Sequence, residues 1–108
     1  MNPHDTYKSV AREQSRAAGQ RLLQTYRLAI EANAMEDKET VVHCLDLLKR
    51  TLDFNSDPGL CHTLNLIYQD CETALKEGRH DVVGEILETV KGLWQARIKL
   101  EEIAKNRR

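Results

Sequence analysis

Four stretches of the chain repeat apolar residues at three- and four-residue intervals, the spacing that gathers side chains on one face of an α-helix. In AAGQRLLQTYRLAIEANAM, Leu22, Leu23, Tyr26, Ala29 and Ile30 share such a face. The triplet EDK at 36–38 breaks the pattern and offers Asp37 as N-cap for a second helix, where Val41, Leu45, Leu48 and Leu52 form the seam. FNSDPG then reads as a loop, with Asp57 as N-cap and Pro58 at the first helical position. On the third helix the seam is Cys61, Leu64, Tyr68, Cys71 and Leu75, closed by Gly78 as a residue able to take the left-handed conformation. Asp81 is expected to cap a fourth helix, whose seam is Val83, Leu87, Val90 and Trp94, with Val82, Ile86, Leu93 and Leu100 beside it.

Helices of roughly 16 to 25 residues joined by short connections pack best as antiparallel neighbours. The pattern therefore predicts an all-α fold, an antiparallel four-helix bundle over residues 16–108. Residues 1–15 are left as an N-terminal arm or short capping helix. No repeat, low-complexity tract or second domain breaks the chain.

Composition narrows the function classes. A formal charge of −1 gives no bulk attraction to nucleic acid or to an acidic membrane surface. No apolar run approaches the roughly 18 residues of a membrane span, and MNPHDTYKSVAREQ lacks the apolar stretch of a secretory signal. Three cysteines, an odd number without close spacing, make no disulfide framework. The expectation is a soluble cytoplasmic protein.

The stretch CHTLNLIYQDC raises the question of a metal or redox site. Cys61 and Cys71 stand about 15 Å apart along one helix, whereas zinc needs about four ligands within roughly 2.3 Å of one point. Cys44 is expected level with Cys71 across the second and third helices, which gives two thiols without a third or fourth ligand. His43 and His62 flank the seams. Cysteines on an apolar stripe act as small core residues, no Cys–His pair is aligned for covalent catalysis, and no glycine-rich loop is built for phosphate. Neither a metal, a cofactor nor an enzymatic activity is expected.

Binding surface is the remaining possibility. Apolar residues cover an arc of about 140° on the third helix, somewhat more than the roughly 100° a bundle helix needs. Leu28, Leu47 and Leu66 stand off their seams and would mark an interaction site if they met in space. Tyr7 and Val10 give the arm a small apolar face, which either docks on the bundle or belongs to a disordered end.

The residues also resemble a known family, the FliS flagellar export chaperones. SRAAGQRLLQTYRLAI (15–30) lies without gaps on the family block TASPxxLVLMLYDGAI, keeping Leu23, Tyr26, Ala29 and Ile30. LNLIYQDCETAL (64–75) looks like LxxLYDYxxRRL, and ILETVKGLW (86–94) is similar to LLxxLRxAW. With the early Tyr7, the likeness runs in order over almost the whole chain. It departs at Ser15-Arg16-Ala17-Ala18, where the family's cap and proline are missing, and at Arg27, where the family has an acid.

The resemblance implies a cytoplasmic chaperone that holds the disordered C-terminal segment of flagellin as helices, preventing premature polymerisation before type III export. It admits an export-gate component or a flagellar regulator as a further partner, with no nucleic acid and no membrane insertion, and a monomer or weak dimer. By position in the matching motifs, Leu23, Tyr26, Ile30, Leu64 and Tyr68 are the expected partner-binding residues. Leu66 joins them because it stands off the seam, and Tyr7 and Val10 would form a cap that the client displaces. Pure core packing accounts equally well for Leu23, Ile30 and Leu64. The alternative reading is a homodimeric regulatory or adaptor bundle of another secretion or signalling pathway.

Overall fold

The computed structural model describes the backbone of residues 3–107 and the side chains of residues 17–107. Its elements are α1 (Pro3–Ala34), α2 (Lys38–Arg50), α3 (Pro58–Lys76) and α4 (His80–Asn106). Each helix packs on its neighbours in a closed ring, α1 on α2, α2 on α3, α3 on α4 and α4 on α1. This is the antiparallel four-helix bundle that the apolar spacing predicts. The segment expected as a separate arm is helical from Pro3 and runs into α1 without a break. The side chains of Tyr7 and Val10 lie outside the described residues.

The seams are the core. Val41, Leu45 and Leu48 of α2, Cys61, Leu64, Tyr68, Cys71 and Leu75 of α3, and Val83, Leu87 and Val90 of α4 are all buried. α1 contributes Leu23, Tyr26, Ala29 and Ala32, with Leu22 and Ile30 half-buried at its edges. Each fully buried leucine contributes about 1.5–3 kcal/mol relative to remaining exposed, so the fold rests on these aliphatic side chains.

The helix ends are made locally. Asp37 caps α2, accepting from the Thr40 amide at 3.2 Å and from its hydroxyl at 2.5 Å, and these bonds hold its carboxyl below the usual carboxylate range. Asp57 caps α3 in the same way, through the Leu60 amide at 3.1 Å. At the end of α3 the Arg79 amide donates to the Ala74 carbonyl and the Gly78 amide to that of Leu75, with Gly78 at φ 75°. α1 ends identically: Asp37 donates to Ala32 and Glu36 to Asn33, which forces Glu36 to φ 58°.

The start of α4 differs from the sequence expectation. Its N-cap is Arg79, which makes no side-chain cap bond, and Asp81 falls in the first turn. At this end α1 supplies a partner for the first residue of α4. Asn33, buried in the bundle, donates its Nδ2 to the His80 carbonyl at 2.8 Å, and His80 Nδ1 donates back to Asn33 Oδ1 at 2.9 Å. This reciprocal pair fixes the end of α1 to the beginning of α4. Gly84 passes so close that an added Cβ would stand 3.2 Å from Asn33 Nδ2.

Helix lengths set the shape. At about 1.5 Å per residue, the 32 residues of α1 and 27 of α4 outrun the 13 of α2 and 19 of α3. With Asn33 and His80 together at one end and Gly19 against Ile98 toward the other, the two long helices continue past the α2–α3 loop. Among the described residues the core is left open there.

Candidate functional site

That opening is a cleft of about 640 Å³. All four helices line it: Leu22 from α1, Leu47 from α2, Leu60, Cys61 and Leu64 from α3, and Trp94 from α4, with Leu52 just past the end of α2. Its wall is mostly apolar. Arg21, Arg50 and Arg97 stand on its rim, together with Asp53 and Asp57.

The loop wall is shaped by its own hydrogen bonds. Asp53 accepts from the Asn55 amide at 3.1 Å and the Ser56 hydroxyl at 2.7 Å, contacts that depress its pKa. The Ser56 and Asp57 amides both return to the Asp53 carbonyl. Phe54 meets the His62 ring edge-on with centroids 5.1 Å apart and ties the loop to α3. Two carboxylates on the rim are thus used to build the loop and to cap α3.

Beneath the cleft lies a polar chain in an otherwise apolar core. Trp94 Nε1 donates to the Tyr26 hydroxyl at 3.1 Å, and the Tyr26 and Tyr68 hydroxyls are 2.5 Å apart. A buried hydroxyl without a partner costs free energy, so these three residues satisfy one another and fix the Trp94 ring as one wall. Burial, first of all, raises the pKa of both phenols. Above the ring sits the Arg97 guanidinium, 5.5 Å from its centroid, in turn bonded to Glu101 at 3.3 Å.

The expected partner-binding residues separate into distinct environments. Leu64 lines the cleft. Leu23, Tyr26 and Tyr68 are buried, with Tyr26 at 0% exposure, so they support the wall from behind. Ile30 packs half-buried against the core. Leu66 is 61% exposed and outside the cleft. Leu28, Leu47 and Leu66 do not share one cleft, for only Leu47 lines this one and Leu28 stands on the outer surface of α1.

Leu22, Leu52 and Trp94 were legible as seam residues but not as a site, and Leu60, Arg21, Arg50 and Arg97 were not legible at all. The signal available was their register: antiparallel helices place these seam ends at the same end of the bundle.

The three cysteines are buried free thiols. Burial pushes Cys71 up to about 11 and raises Cys44 as well. Among the described residues no group of three or more His, Cys, Asp or Glu is placed to hold a metal ion. Within the same limits, no helix is long and apolar enough to cross a membrane. The cleft offers apolar area and shape, with the Trp94 ring as an aromatic wall.

No family model matches the chain, and neither a curated protein nor a solved structure does.

Proposed function

We propose that this chain is a cytoplasmic chaperone that holds the disordered C-terminal segment of flagellin as helix against the bundle, keeping the subunit unpolymerised and competent for type III export. The observation that carries the reading is the apolar cleft at the open end of the bundle, lined from all four helices. An amphipathic helix docks by setting anchors at i, i+3, i+4 and i+7 into such a surface. A cleft of about 640 Å³ is of the size that takes a few anchor side chains, while the rest of the client lies along neighbouring helix faces.

The family resemblance adds a second support. Tyr26, Tyr68 and Trp94 come from three separately matched segments, and they meet in one hydrogen-bonded chain behind the cleft. On this reading the protein acts by binding, without catalysis, metal or cofactor, as a monomer or weak dimer. Ordering the client consumes part of the contact energy, so the expected affinity is moderate.

Isothermal titration with a peptide spanning the C-terminal segment of flagellin tests the proposal. A dissociation constant of about 1 μM, equivalent to about −8 kcal/mol, is expected. Absence of binding with both partners at tens of micromolar would overturn it.

A further inference from the structure

The second half of α4 carries an apolar face that is exposed among the described residues. Leu93, Ala96, Leu100 and Ile103 step by three, four and three, the a and d spacing of a coiled-coil seam. At about 100° per residue, they lie on the side of α4 turned away from Leu87 and Trp94. Leu93 and Leu100 are 66% and 65% exposed, and Ile103 is 41% exposed. None of them lines the cleft.

The borders of this seam are cationic. Arg97 flanks it on one side and Lys99 on the other, while Arg107 continues its line one turn past Ile103. Residues 93–107 hold four Lys/Arg against two Asp/Glu, a net of +2 in a chain whose total is −1. Arg97 is paired with Glu101, but Lys99 and Arg107 make no ion pair among the described residues. Charges at these flanking positions select the partner and orientation of a coiled coil. A second copy packed antiparallel would set Arg97 and Lys99 against their own counterparts. Packed parallel, it would face them with Gly92 and Ala104, which offer no charge.

We propose that the Leu93–Ile103 face of α4 is a docking site for an amphipathic helix of another protein, one whose apolar seam is bordered by Asp and Glu. The apolar seam supplies area, while the cationic borders repel basic helices and an antiparallel second copy and find no opposite charge on a parallel one. The four seam residues lie outside the cleft, and only Arg97 is shared, between the border of the seam and the rim of the cleft.

Two synthetic helices of about three heptads test this, both with a Leu/Ile seam, one with Glu and the other with Lys at the flanking positions. Fluorescence anisotropy with the full chain should show the Glu-flanked helix binding at least about tenfold more tightly. Lys99→Glu with Arg107→Glu should reverse that preference. Leu93→Asp with Leu100→Asp should weaken the Glu-flanked helix by more than about tenfold, while the thermal midpoint and the affinity for the flagellin peptide stay unchanged. Equal affinity for the two helices would overturn the proposal, as would insensitivity to the leucine pair. So would a concentration-dependent dimer in sedimentation that the leucine pair dissolves, because a second copy would then be the occupant.

Discussion

The hydroxyls of Tyr26 and Tyr68, 42 residues apart in sequence, lie 2.5 Å from each other inside the core. Tyr26 is the hub, since it also accepts from Trp94. Tyr26→Phe removes the acceptor of Trp94 and the partner of Tyr68 together, leaving a buried hydroxyl unpaired. It should cost about 1–3 kcal/mol in urea denaturation. Tyr68→Phe leaves the Trp94 bond in place and should cost less. Equal losses would remove Tyr26 from the hub.

The same pair makes stability fall at alkaline pH. Both phenols have their folded pKa raised, chiefly by burial. The sign follows from linkage: the folded state keeps protons that the unfolded state releases. The contribution is full below the free tyrosine value of about 10 and is lost as pH rises from there toward the folded value. Thermal midpoints should drop steadily above pH of about 10, and Tyr26→Phe with Tyr68→Phe should flatten that drop.

Glu36 occupies a left-handed conformation, φ 58°, at the end of α1. A side chain there carries a cost that glycine avoids. Glu36→Gly should therefore stabilise the fold by roughly 0.5–1 kcal/mol, judged by the urea midpoint. The mirror experiment, Gly78→Ala at φ 75°, should destabilise by about 1 kcal/mol.

Asn33 joins the end of α1 to the start of α4, and Gly84 is the space it needs. Gly84→Ala should push the Asn33 amide from the His80 carbonyl and expose the first turn of α4 to faster hydrogen exchange. Because Ala also favours helix over Gly by about 1 kcal/mol, exchange at residues 80–84 reads the effect more directly than the midpoint. Unchanged protection there would show that the pair does not hold the turn.

Much of this fold is legible in the pattern of apolar positions. The seams of α2, α3 and α4 are buried as their spacing predicts, because a 3.6-residue period leaves little choice of face. Asn33 and the start of α4 were less legible. A polar residue four positions past Ala29 continues the seam of α1, yet nothing local says that it will serve another helix. The glutamate that ends α1 likewise lacks the glycine signature seen at Gly78.

The candidate site was the least legible part, for a physical reason. A seam residue becomes a cleft residue when the helix packed over it stops short, and that depends on the relative lengths and register of four helices. Leu64 is expected in the site by motif position and does line the cleft, whereas Tyr26 and Tyr68 are sealed behind it. Leu60 and the three rim arginines take their place from tertiary structure alone.

The chain has a single tryptophan, Trp94, and it forms one wall of the cleft. Its emission during titration with the C-terminal flagellin peptide is the most direct test of the central claim. A saturable blue shift at micromolar peptide, lost in Leu60→Asp while that variant keeps its helical circular dichroism, is the predicted result. Emission that stays constant while the peptide binds would contradict it, since the client would then lie elsewhere on the bundle.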